Sequence, residues 1–437
     1  MAKGQPTIDW EEVTEEATAL LSRYIAIDTS NPPGNEEAAA LFLADILRRE
    51  GLEARLYQAA PGRANLSTRL PGDGSKRPLI LLNHTDVVPA EPSFWQEPPF
   101  AGTVRDGVIW GRGALDMKGM GVMELMTILI LKRHRVPLKR DVVFLALADE
   151  EVGGEVGVDW MDRHHPEVMD AEYVLNEGGG GITELLGVRK PIFNCAVSEK
   201  GPLWLKLRAQ GSPGHGSVPR DDNSLERLVR ALYRVQAWHH PITVLPEMEL
   251  YLRGLHEGGV LPEIPAESAL AQIAESTPLV RAVLSNTVSV TTCNAGYKHN
   301  VIPAVSEATL DCRLLPGWSA QDFVDELRSV INDSQVEIEE VYRSETVPSP
   351  VETELFDIAK QVIQETIPEA LVLPHIASGF TDSRIFRRRG VVAYGLMPVM
   401  LEPSDVASIH GHNEHISVEN LRLGTQILFE TVRRLCT

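Results

Sequence analysis

The sequence predicts an α/β fold: a mostly parallel sheet forms the main domain, and a ferredoxin-like α+β unit is inserted into it. Three observations lead there. Nearly continuous apolar runs at 78–82, 141–148 and 171–175 have the length and character of strands buried on both faces. Helical stretches separate such runs, as at 36–49, which stops before Gly51. From Gly201 the character changes to alternation, with Leu203, Leu205 and Leu207 set against Trp204, Lys206 and Arg208, the mark of a strand with one buried face.

Taken in order, residues 11–197 alternate helices and buried strands in the first style. The second style runs through a strand from 201, a helix at 224–238, strands at 287–293 and 307–313, a helix at 320–331 and a strand at 335–341. That order is β-α-β-β-α-β. A helix at 353–367, a strand at 391–396 and a helix at 419–435 return to the first style. The expected domains are therefore 1–197 with 346–437, discontinuous, and an insert at 198–345. A chain of 437 residues is longer than one core usually grows, which agrees with two domains. Residues 240–285 carry prolines at 241, 246, 262, 265 and 278 and no period that predicts an element.

Composition excludes several classes of function. With 43% hydrophobic and 23% charged residues the chain reads as an ordinary soluble globular protein. A net charge of −20 argues against nucleic acid and anionic membrane surfaces, which select basic patches. Cys195, Cys293, Cys312 and Cys436 lie far apart without CxxC spacing, so neither a thiolate metal site nor a disulfide framework is expected. The first residues lack an apolar h-region, and the longest apolar helix candidate, near 125–131, is too short to cross a bilayer. The expected location is the cytoplasm.

The apolar runs end on ionisable residues. The first stops at His84 and Asp86, the second at Asp149, Glu150 and Glu151, and the third at Asn176 and Glu177 before four glycines. Asp116 precedes the apolar stretch 120–131, and His410 lies in a histidine-rich loop. Open α/β sheets collect ligands at the carboxyl ends of their strands. Alternate residues of a strand share a face, so Asp86 is expected to touch the His84 ring or lie behind it and fix its tautomer. Three adjacent acids repel one another, and a cation would relieve them, although charge runs are commonly solvated loops. The set reads as a metal site for two ions.

Six phrases also carry a resemblance: HTDVVPA (84–90), GRGALDMKG (111–119), ALADEEVGG (146–154), NEGGG (176–180), SPGHGSVP (212–219) and IHGHNE (409–414). In order and spacing they resemble the dinuclear zinc metallopeptidase family of aminoacylases, carboxypeptidases, acetylornithine deacetylases and succinyl-diaminopimelate desuccinylases. The resemblance implies that His84 and Glu177 bind one zinc and Glu151 and His410 the other, with Asp116 bridging, Asp86 behind His84 and Glu150 as general base. His410 is favoured over His412 and His415 by its spacing to Asn413 and Glu414. It further implies that His215 stabilises the oxyanion, reaching across a homodimer interface made by the inserted lid and dimerisation domain. Asn300, Arg313, Thr381 and Arg384 are implied to hold substrate, although SGFTDSR (378–384) departs from the family's usual glycine pair. Arg313 suits a carboxylate because its planar fork binds two oxygens, and its alternative is a surface ion pair.

The activity implied is hydrolysis of an amide or peptide bond beside a free carboxylate, in a small N-acyl amino acid or short peptide. A deacylase is the first reading and a carboxypeptidase or dipeptidase the alternative. Two zinc ions per chain are implied, with cobalt or manganese as substitutes that the same donors accept. A metal-stabilised binding protein without catalysis is a remote third reading, and the presence of Glu150 speaks against it. The remaining histidines, including His164 with His165, His239 with His240, and His134, His256, His299 and His375, are expected to be structural or solvated. Met117, Met120, Met123 and Met126 recur at helical spacing, which marks core packing.

Two zinc ions about 3.5 to 4 Å apart would lower the pKa of a shared water. Glu150, pointing away from Glu151 if the chain is extended there, would take that water's proton and pass it to the leaving amine. Replacing Glu150 with alanine is therefore expected to leave two metal ions bound and to cut turnover by about 10²- to 10⁴-fold. Metal analysis beside amine release checks this, and undiminished hydrolysis would refute the role.

Overall fold

A computed structural model describes residues 7–437. Its main sheet has eight strands in the spatial order Ala54–Ala60, Arg63–Leu70, Val142–Leu147, Leu79–His84, Tyr173–Leu185, Val392–Leu401, Val188–Glu199 and Leu371–Ala377. Val142–Leu147, Leu79–His84, Tyr173–Leu185 and Val392–Leu401 run parallel to one another, as does the outer pair Val188–Glu199 and Leu371–Ala377. The first two strands are antiparallel additions at one edge. The expected parallel sheet is thus its centre, and the whole is mixed.

Alternate residues of the buried strands feed two layers. Leu79, Leu81, Val142 and Phe144 pack with helices Trp10–Ile25, Glu36–Arg49, Lys118–Arg133 and Val418–Cys436. Ile80, Leu82, Val143 and Leu145 face helices Val158–His164 and Ser383–Arg388. Lys118–Arg133 is buried from Lys118 through Leu131, which explains why its sequence is apolar all round. All four methionines are buried, and Met123 and Met126 lie in that packing.

A second sheet is wholly antiparallel, in the order Thr287–Ala295, Val305–Leu314, Gly201–Gln210 and Val336–Arg343. Helices Ser224–Ala237 and Ala320–Ile331 cover one face, and Leu203, Leu205, Leu207, Leu310 and Phe323 fill a core of its own. The four strands and two helices follow the ferredoxin-like order.

Residues 246–284 hold three helices where no period was legible: Pro246–Glu257, Glu267–Ser276 and Pro278–Leu284. Two of them begin on proline, whose fixed φ and missing N–H suit the first helical position. Their apolar residues Met248, Tyr251, Leu252 and Leu284 pack on Ile192, Leu373 and Ile376 of the main sheet. Part of the stretch expected as one insert therefore lies against the main domain. All four cysteines are free, and among the described residues no helix is long and apolar enough to cross a membrane.

One glycine ties the fold to the strand ends. A Cβ on Gly157 would stand 1.7 Å from the carbonyl oxygen of Ala148, just before the acidic triplet. Backbone cannot yield there as a side chain would. Gly157→Ala is expected to lower unfolding free energy by about 1–3 kcal/mol and to reduce activity with it. Thermal unfolding read beside turnover tests this, and an unchanged Tm would contradict it.

Candidate metal centre

Two strands, a turn and two loops converge on one carboxylate. Asp116 Oδ1 lies 3.0 Å from His84 Nε2, and Asp116 Oδ2 lies 3.0 Å from His410 Nε2. Glu177 Oε1 is 3.4 Å from His84 Nε2, and Glu151 Oε2 is 3.2 Å from His410 Nε2. Two triads result, His84–Asp116–Glu177 and Asp116–Glu151–His410, each with donor atoms within 4.8 Å of one another and with Asp116 common to both. His412 instead stacks on Phe94, while His415 stacks on Trp110 and pairs with Asp405.

Asp86 stands behind the His84 ring and bonds it through its backbone. His84 Nδ1 donates to the Asp86 backbone carbonyl at 3.0 Å, and the carboxylate stands 3.6 Å away. That bond orients the ring and turns Nε2 toward Asp116. The Asp86 carboxylate accepts from the backbone N–H groups of Glu150 and Glu151, both at 3.2 Å, and from Asn31 Nδ2 at 2.9 Å.

Glu150 and Glu151 are not extended, which corrects the sequence reading. They open a single 3₁₀ turn, Glu150–Val152, after Asp149 in the left-handed region at φ 73°. Asp149 is held there by Arg63 Nη2 at 2.6 Å, Asn31 Nδ2 at 3.1 Å and the Val156 N–H at 3.1 Å. Arg63 is itself clamped by the buried Glu36. On the other side, buried Glu414 accepts the N–H groups of Gly113, Leu115 and Asp116 and the Arg112 guanidinium, all between 2.7 and 3.0 Å. Asn31, Arg63 and Glu36 escaped sequence reasoning, and Glu414 entered it only as a spacing marker.

Asp116, Glu150, Glu151, Glu177 and His410 open onto a cavity of about 460 Å³. Gly178–Gly181 form one wall, and Ile182, Met397, Leu401, Val406, Ile409 and Phe380 make much of the rest apolar. The implied substrate residues scatter. His215 is exposed, bonds Ser217 through Nδ1, and sits beside Asn300, whose carbonyl accepts from Gly216; neither lines the cavity of its own chain. Arg313 is engaged bidentately by Asp311, with its guanidinium 5.0 Å from the Phe380 ring. Thr381 lines the cavity and donates to Glu199. Arg384 is wholly buried, bonding the carbonyls of Gly153 and Thr381, so it braces the acidic turn and cannot touch substrate. His375, expected to be structural or solvated, lines the cavity with Asn194.

The charges explain what such a cluster needs. Burial pushes Glu177 up to about 7, with Asp116 and Glu151 adding to it against His84. Burial also raises Glu150 well above the usual carboxylate range, helped by Glu177. His410 is carried to about 10 by its bonds to Asp116 and Glu151. Burial alone would lower His84, yet Glu177, Asp116 and Asp86 hold it well above its ordinary value. The donor set fits a pair of divalent cations: two imidazoles and three carboxylates, of which Asp116 is shared, with Glu151 Oε1 buried and lacking any partner.

Comparison with known proteins shows the family and the fold. The profile of peptidase family M20/M25/M40 matches residues 80–434. The chain belongs to that family. Human N-fatty-acyl-amino acid synthase/hydrolase PM20D1 is 29% identical over 390 residues, covering 86% of this chain and 77% of the relative. Aminoacylase-1 of Sus scrofa is 27% identical, covering 96% of this chain and 95% of its own. Among solved structures, the M20 family metallo-carboxypeptidase Sso-CP2 from Sulfolobus solfataricus has a TM-score of 0.74 at 20% identity, covering 98% of this chain and 99% of its own. Human carnosine dipeptidase 1 has a TM-score of 0.70 at 16% identity, covering 98% of each chain. This M20-family member is a metallohydrolase acting on C–N bonds.

Ligands must lose their protons to bind a cation. Glu177 at about 7 and His410 at about 10 are partly or fully protonated at neutral pH without metal, so uptake must release protons. Apparent metal affinity is expected to rise between about pH 6 and 8. Calorimetry of the metal-free protein in buffers of different ionisation enthalpy checks this; binding without proton release would contradict it.

Proposed function

We propose that this chain is a dinuclear zinc amidohydrolase cleaving the amide bond of N-acyl amino acids beside their free carboxylate. The observation that supports it most is the sharing of Asp116, one oxygen toward each histidine, at the floor of a cavity that Glu150 also lines. His84, Asp116 and Glu177 would hold one ion, and Asp116, Glu151 and His410 the other. Bound zinc would supply Lewis acidity, making water acidic enough to attack at neutral pH and polarising the substrate carbonyl.

The chain's own residues supply the rest. Glu150 accepts the proton of the attacking water as its oxygen bonds to the carbonyl carbon. It returns that proton to the nitrogen as the C–N bond breaks, and the amine leaves neutral. Asp86 keeps Glu150 and Glu151 in register through their backbone N–H groups. The apolar wall of Ile182, Met397, Leu401, Val406 and Ile409 favours an apolar group on the substrate.

We further propose that the chain works as a homodimer, with the second sheet and its two helices, within residues 198–345, serving as lid and dimer contact. Edge strand Thr287–Ala295 is exposed along most of its length, Val290 included, and Val229 and Tyr233 are exposed on helix Ser224–Ala237. His215 lies outside its own cavity, so a second copy would have to present it as the oxyanion donor. A carboxypeptidase or dipeptidase activity remains the second reading, favoured by the polar side chains Asn194 and His375 in the cavity wall.

The test is a zinc-loaded protein given acetylated and fatty-acylated amino acids, dipeptides, and the C-amidated form of each. Amine release is expected for the free acids, with at least about 100-fold loss on amidation, since a site that binds the free acid rejects an analogue lacking its charge. No hydrolysis across the panel, or equal rates for acids and amides, would refute the proposal. Mixed His215→Ala and Glu150→Ala subunits are expected to regain activity; none after verified exchange would place His215 outside the reaction.

A further inference from the structure

Asn194 and His375 stand on adjacent parallel strands, Val188–Glu199 and Leu371–Ala377. Asn194 pairs with Leu373 and His375 with Ala196, so the two side chains share a face two residues apart. Both line the cavity that holds the metal-ligand cluster. Asn194 Oδ1 and His375 Nδ1 are buried without any hydrogen-bond partner. Such orphans are costly: each buried polar atom without a partner loses the bonds it had with water. Their neighbours offer little relief, since Ile182, Met397 and Gly181 share the wall and Tyr251 places its ring 5.5 Å from His375.

Their chemistry defines what would satisfy them. A carboxamide offers one acceptor oxygen and an NH₂ donor, and a neutral imidazole offers one donor and one acceptor nitrogen. Burial lowers His375 to about 4, so the ring is uncharged at neutral pH. Neither side chain then carries a charge that would select an ion. The complement is a neutral group that both donates and accepts, and an amide does so through two separate atoms, its N–H and its C=O, one for each side chain. A plain alkyl chain would leave both side chains unpaired.

We propose that Asn194 and His375 form a specificity subsite that reads a second amide of the substrate, one that is bound and not cleaved. The inference rests on the amidohydrolase reading and narrows it, from N-acyl amino acids in general to those carrying another amide: acylated dipeptides, short peptides or carboxamide side chains.

Two matched pairs test this with the zinc-loaded protein. N-(acetylglycyl)leucine and N-pentanoylleucine have chains of equal length and differ by one amide; N-acetylglutamine and N-acetylmethionine place the change on the amino-acid side. The readout is the ratio of kcat/KM within each pair, which does not depend on the fraction of folded protein. In the wild type at least one pair is expected to favour the amide by on the order of 10- to 100-fold. Asn194→Leu and His375→Leu should each shrink that ratio toward one, raising the alkyl member as the amide member falls. A preference for the alkyl member in both pairs, or a ratio unchanged in both variants, would overturn the subsite. Affinities of the same pairs for zinc-loaded Glu150→Ala protein, by calorimetry, are expected to show the same ratio. If nothing is hydrolysed, the reaction is wrong; if the affinities within both pairs are equal, the subsite is wrong.

Discussion

The Asp116 carboxylate, with one oxygen turned toward each of two histidines, is the constraint around which the rest is arranged. Gathering it with Glu151, Glu177 and Glu150 in one largely buried cluster concentrates negative charge where water screens little. Unpaired, such groups shift their pKa values and take up protons, and the values near Glu177 and Glu150 show this pressure. Two divalent cations would remove it. The same electrostatic demand that would destabilise a metal-free protein is what makes the cluster a strong cation site.

Holding those ligands requires residues that never touch a cation. Glu414 gathers three backbone N–H groups and a guanidinium so that Asp116 has one available position. Asp86 and Asn31 do the same for the turn that carries Glu150 and Glu151, and Arg63 links that turn to Glu36. Breaking a buried, hydrogen-bonded ion pair of this kind costs about 3–5 kcal/mol, because the partner left behind stays charged and buried. The precision of the site therefore depends on segments far apart in the chain. Helix ends, strand ends and two loops meet there, which is why a single glycine such as Gly157 bears on the position of the acids.

How much of this was legible in the sequence follows from the same physics. Buried parallel strands announce themselves as apolar runs, and the ionisable residue where each run stops is then conspicuous; His84, Glu151 and Glu177 could be found that way, although the strand that carries Glu177 continues to Leu185. Strands Ala54–Ala60 and Leu371–Ala377 could not, being half-exposed in one case and interrupted by Pro374 and His375 in the other. The turn at Glu150 was misjudged because Asp149 adopts a left-handed conformation usually left to glycine, held by bonds from residues more than 80 positions away. Arg384 matched a phrase, but a phrase does not reveal burial. Asn31 and Arg63 are single polar residues in polar surroundings, and only the folded chain shows what they hold. Helices 246–284 were hidden by their prolines, which disrupt a helix interior yet suit its first turn.

The central claim is that one carboxylate joins two cations. The most direct measurement is crystallography of the zinc-loaded protein with anomalous scattering at the zinc edge. The account predicts two peaks about 3.5 to 4 Å apart, one beside His84 and Glu177, the other beside Glu151 and His410, with an Asp116 oxygen bound to each. A single peak at saturating zinc, or two peaks with Asp116 bound to only one of them, would contradict it.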